Sequence, residues 1–152
     1  MGGPMSKGKG ILTKVCIDKY EGGVPEGRIY LVGREGFTEG LCFHSTIAFV
    51  KGMEFLLRQN DQANLEDYRV FGEQPEIRDV LPQQMAPGKG RASTFILRIL
   101  YRQHSSWQGT IRWCEGKQEM CFRSALELLI LMDSALQDAK NALYICAEGK
   151  ND

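Results

Sequence analysis

Two stretches of the chain, CFHSTIAFVKGMEFLL from Cys42 to Leu57 and CFRSALELLILMDSAL from Cys121 to Leu136, align without a gap. They share Cys, Phe, Ser, Met and Leu, five identities in sixteen positions, and pairs such as Ile47 with Leu126 and Glu54 with Asp133 are conservative. Self-similarity decides the fold before any motif does, because each copy has to be one supersecondary unit. Upstream, EGRIYL (Glu26 to Leu31) resembles QGTIRW (Gln108 to Trp113) once a short loop difference is allowed. Further up, KVCIDKY (Lys14 to Tyr20) takes the place of ILRILYR (Ile96 to Arg102).

The second copy reads as three strands and a helix. From Thr94 to Arg102 the residues alternate, with Phe95, Leu97 and Ile99 against Ile96, Arg98 and Leu100, a period of two. Turn residues follow, and Trp107 to Glu115 alternates again. Glu115-Gly116-Lys117 is a tight turn in which Gly116 is expected to take positive φ. Glu119 to Arg123 is a short third strand, and Ser124 with Glu127 has the spacing of a capping box. The helix runs to about Ala139. The expected fold is therefore α+β: two tandem β-β-β-α units, 11–58 and 94–140, forming one pseudo-symmetric domain whose antiparallel sheet is covered by two helices. A leader (1–10), a Pro- and Gly-rich connection (59–93) and a tail (141–152) lie outside the units. In the connection Tyr68-Arg69-Val70-Phe71 is read as an anchor or a short strand, and in the tail LYIC (Leu143 to Cys146) as an edge strand or a helical extension.

Composition limits the function. The chain has 152 residues, 43% hydrophobic and 25% charged, which suits one globular domain burying roughly 68–70% of its unfolded surface. Nineteen basic and nineteen acidic residues cancel, which argues against bulk nucleic-acid or membrane-surface binding. No apolar run approaches the length of a membrane span, and the N-terminal MGGPMSKGKG has no signal-like core. Five cysteines without a CxxC pair read as reduced, buried thiols, so a cytoplasmic location is expected, with no metal and no cofactor.

Several motifs fall to their simpler readings. Gly3, Gly8 and Lys9 begin a phosphate-loop pattern, but Gly10 stands where its Ser or Thr would be. Cys42 and His44 are two apart, yet nothing is placed to orient the histidine as a base. Trp107 and Trp113 share a face with Ile111 and read as core. No catalytic constellation emerges, and an enzyme is not expected.

Two surfaces remain. Arg98, Arg102, Arg112 and Arg123 fall on the sheet face opposite Phe95, Ile111 and Phe122, where guanidinium groups could hold an anion bidentately, or could be solvated beside Glu115 and Glu119. The first copy offers Cys16, Asp18, Tyr20, Arg28, Tyr30 and His44 at the outer positions, so such a site would be asymmetric. On the second helix, Ala125, Leu128, Leu129, Met132 and Leu136 face the sheet, whereas Leu126, Ile130 and Leu131 lie outside that stripe and call for another partner.

The run W-Q-G-T-I-R-W followed by F-R-S-A-L-E-L, Trp107 to Leu128, is similar to short, functionally uncharacterised bacterial proteins, largely from Firmicutes, with the pattern W-x-G-x-I/V-x-W…F-R-S-x-x-E-L. The resemblance covers about the last third of the chain and implies a bacterial or mobile-element origin; it carries no catalytic residue. The first copy has Val24 and Pro25 where the pattern has Trp. The expectation is a small non-enzymatic binding module whose partner is another protein or a second copy of itself. The alternative is a binder of a small anionic, nucleotide-like ligand; nucleic acid ranks below both.

Overall fold

The computed structural model describes residues 10–33, 36–60, 70–73, 88–103 and 106–149, and the side chains of all of these except 33, 36–39, 59–60, 101–103 and 141–149. Its elements are β1 (Ile11–Glu21), β2 (Val24–Gly33), β3 (Gly36–Phe43), α1 (Thr46–Asn60), β4 (Ser93–Gln103), β5 (Ser106–Trp113), β6 (Gln118–Phe122) and α2 (Ala125–Gly149). The protein is α+β. One six-stranded antiparallel sheet, in the order β3-β2-β1-β4-β5-β6, carries both helices, α1 against β2 and β3, α2 against β5 and β6.

Each half is a meander closed by a helix, and the two meet at β1 and β4. There Ile11 pairs with Ile99, Ile17 with Ser93 and Lys14 with Ile96. Both hairpins slip register at matching places, between Ile17 and Lys19 in one and between Ile99 and Tyr101 in the other. Both also need glycine opposite the slip. A Cβ on Gly27 would fall on the Cys16 carbonyl oxygen, and one on Gly109 would fall on that of Arg98. A bulge turns the alternation over. Tyr20, expected on the outer face, packs against the core for that reason. The slip in the β4–β5 hairpin separates Arg102 from the alternation of Arg98 in the same way: Arg102 pairs in register with buried Trp107.

The second helix starts at the serine expected to cap it, and the first is capped in the same way. Ser45 Oγ accepts the Ala48 N–H at 3.0 Å, and Ser124 Oγ accepts the Glu127 N–H at 3.1 Å. Phe49, Met53, Leu56 and Leu57 from α1 and Leu128, Met132, Ala135 and Leu136 from α2 join Val15, Ile29, Leu41, Phe95 and Leu97 in one core. The tail forms a helical extension, α2 reaching Gly149. In the connection, Val70 and Phe71 are exposed and belong to no strand, while Tyr68 and Arg69 lie outside the described residues.

The turn between β5 and β6 departs from expectation. Lys117, not Gly116, takes the left-handed conformation, at φ 52°. Gly116 is required for space, since a Cβ there would enter the Trp113 ring.

Candidate functional site

The sheet face opposite the helices holds the arginines. Arg98 sits between Leu12 on β1 and Thr110 on β5, and Arg112 between Ile96 and Glu119, so the two are diagonal neighbours. Neither has a hydrogen bond or ion pair among the described residues. Arg123 is committed elsewhere. Its guanidinium bonds Glu127 at 3.0 Å, and its backbone N–H donates to the same carboxylate, which this pairing holds below the usual carboxylate range. The Arg102 side chain lies outside the described residues. Of the four arginines expected to converge, the structure brings together Arg98 and Arg112. Glu115, expected as a partner for them, instead accepts the Thr94 backbone N–H at 2.8 Å.

On the first half of this face, Arg28 forks onto Asp18 at 3.0 and 3.1 Å and lies over the Tyr30 ring. The Asp18 bonds raise the guanidinium above its ordinary pKa. Residues 88–92 cross here. Cys16 Sγ donates to the Gly88 carbonyl at 3.3 Å, Arg28 reaches the Lys89 carbonyl, and the Arg91 N–H donates to Asp18 at 3.2 Å. Gly90 donates to Thr94 Oγ1 at 2.8 Å and has no room for a Cβ against the Ile17 backbone. Cys16 lies fully buried beneath this crossing chain, and burial pushes its thiol up. His44 is exposed and bonds Glu26 Oε1 at 3.2 Å, the carboxylate and not Cys42 being its partner.

The helix side offers the apolar surface. Leu126 and Ile130 are 67% and 57% exposed, one turn apart on α2. Leu131, expected with them, packs against the core: Gly52 at the equivalent place on α1 admits the sheet, and leucine fills that direction with its own side chain. Beside it a cavity of about 320 Å³ lies between α2 and the sheet, lined by Phe95, Trp113, Met120, Leu131, Ser134 and Asp138 among others. Met120, on the edge strand β6, is 52% exposed. Periodicity places Met120 on the core face, and only the local spacing of helix and sheet decides that it stays uncovered.

Both tryptophans are anchored, Trp107 to Glu54 at 2.6 Å and Trp113 to Ser93 Oγ at 3.3 Å. Trp107 and Glu54 belong to opposite halves, a contact that the sequence signals only as a buried-position acid. Among the described residues no three His, Cys, Asp or Glu side chains gather as a metal set, and no helix is long and apolar enough to cross a membrane. No protein-family model, curated protein or solved structure matches the chain.

Proposed function

We propose that the protein is a non-enzymatic interaction module that binds another protein, or a second copy of itself, through the α2 side of its second half. The observation that carries this is the exposed apolar surface of Leu126 and Ile130 on α2, together with Met120, which is exposed at the edge strand and lines the cavity between β6 and α2. Among the described residues Leu126 and Ile130 stand outside the core, and a partner seated on them would bury both. The scaffold is read as a tandem duplication, supported by the matching bulges, the matching Gly27 and Gly109, and the seam centred on Lys14 and Ile96.

A second reading has its own observation. Arg98 and Arg112, diagonal neighbours that form no ion pair among the described residues, make a place for a small anion, with Glu119 opposite Arg112 as its competitor.

Native mass spectrometry separates the two. Association of the wild-type chain, with itself or a co-purified protein, abolished by Leu126→Glu with Ile130→Glu, is the expected result. A monomer carrying a small added mass that disappears in Arg98→Ala with Arg112→Ala replaces the first reading with the second.

A further inference from the structure

The two halves act as controls for one another. In the first, Gly52 lets α1 approach the sheet so closely that a Cβ would stand 3.2 Å from Ile29 Cδ1, and Leu41 and Leu56 are fully buried, with Phe55 packed against the core. The aligned positions of the second half hold Leu131 for Gly52, Met120 for Leu41, Ala135 for Leu56 and Ser134 for Phe55. Leucine in place of glycine puts side-chain bulk where α1 has none, and serine in place of phenylalanine leaves no ring to fill the space beside it. The cavity of about 320 Å³ is what remains, near the lower end of the size of pockets that take a ligand group.

The position of this cavity indicates what enters it. It opens beside β6, the last strand of the sheet, which among the described residues pairs with β5 alone. An edge strand carries backbone N–H and C=O groups without a ladder partner on its outer side. Gln118 and Met120, two residues apart on β6, both line the cavity. A further strand laid on β6 would point alternate side chains into the same space. Asp138 also lines the cavity, is exposed and has no ion partner among the described residues. A basic residue is the complement it selects.

We propose that the groove between β6 and α2 binds an extended segment of another protein by strand addition. One large apolar side chain of that segment enters the cavity, and a neighbouring Lys or Arg meets Asp138. This rests on the interaction reading above and names its partner: a β-forming peptide, apolar and basic. The core side chains of the second half supply the pocket, and β6 supplies the main-chain register.

The test uses phage-displayed random heptapeptides selected on the immobilised full-length chain. Selected peptides are expected to combine one large apolar residue with a Lys or Arg and to protect the amides of Gln118–Phe122 from hydrogen exchange. Ser134→Phe, which fills the cavity as Phe55 does, and Asp138→Lys should each weaken binding at least tenfold while melting cooperatively like the wild type. An absence of enriched peptides, or peptides indifferent to both variants, overturns strand addition. Peptides indifferent to both but lost in Leu126→Glu with Ile130→Glu overturn it while leaving the interaction reading in place.

Discussion

The indole N–H of Trp107 donates to Glu54 Oε1 at 2.6 Å, joining a strand of the second half to the helix of the first. Arg58 Nε donates to the other carboxylate oxygen at 3.1 Å from one turn further along α1. Glu54 is only 6% exposed, and a carboxylate so buried is tolerable because donors meet it. Trp107→Phe should cost about 1–3 kcal/mol by urea unfolding, through an oxygen left without this donor. Glu54→Ala should cost more, about 3 kcal/mol or above, because it strands the indole and the guanidinium together. A cost for Glu54→Ala no greater than that of a surface alanine would show that the contact does not bind the halves.

Gly27→Ala and Gly109→Ala are expected to be among the most damaging single-methyl additions in the chain. Each places a Cβ on a backbone carbonyl of the neighbouring strand, which cannot rotate away. A loss of about 3 kcal/mol or more is expected for each, read as a fall in urea midpoint. By contrast Gly88→Ala, with nothing within 4 Å, should be nearly silent.

The two serine caps give a matched pair. Ser45→Ala and Ser124→Ala should each lower stability by about 1 kcal/mol. The second helix adds an acid dependence. Arg123 holds Glu127 below the ordinary carboxylate range, so this contribution is present above the unfolded glutamate's pKa and is lost as pH falls through the lowered folded value. Arg123→Ala should flatten that part of the acid limb, and an unchanged pH profile would contradict the pairing.

Thiol chemistry reports the chain crossing the sheet. Cys121 is exposed, whereas Cys16 is fully buried with its thiol raised by desolvation. Peptide mapping after brief alkylation at pH 8 should find Cys121 modified and Cys16 protected. Cys114 is raised as well, again chiefly by burial. A raised folded thiol pKa means stability is complete below the unfolded thiol's value near 9.0 and declines as pH rises through the folded values. Cys16→Ala with Cys114→Ala should reduce that alkaline decline.

The exposed leucine and isoleucine should behave unlike their buried neighbours on the same helix. Leu126→Gln and Ile130→Gln are expected to change folding stability by less than about 0.5 kcal/mol. Leu128→Ala, at 0% exposure, should cost about 2–5 kcal/mol. A large folding cost at Ile130 would place it in the core and remove it from the binding surface.

Much of the architecture was legible because its signals are local. Alternation marked β4 and β5, Ser124 and Glu127 marked the start of α2, and apolar spacing marked Leu128, Met132 and Leu136 as core. Bulges are different, because alternation continues in the sequence while the backbone slips; Tyr20 and Arg102 changed their neighbours for that reason. Gly116 looked like a positive-φ residue from its dipeptide, but the Trp113 ring, not φ, is what demands glycine there. Arg123 looked like a member of a sheet-face cluster, and a capping carboxylate four residues on claimed it first. The cavity was illegible from either copy alone, since it arises from a difference between Gly52 and Leu131 and between Phe55 and Ser134.

The seam between β1 and β4 also sets how the chain can reach this structure. Four of the five strand pairings are hairpins closed by neighbours in sequence, whereas Ile11 must find Ile99 and Ile17 must find Ser93 across the whole first helix and the connection. Hairpin closure is fast and pairing over a long loop is slow, because the loop's entropy is lost before the contacts are made. Two meanders that collapse independently and then zip together along Lys14 and Ile96 would give folding in two kinetic phases, the slower one set by the docking of halves.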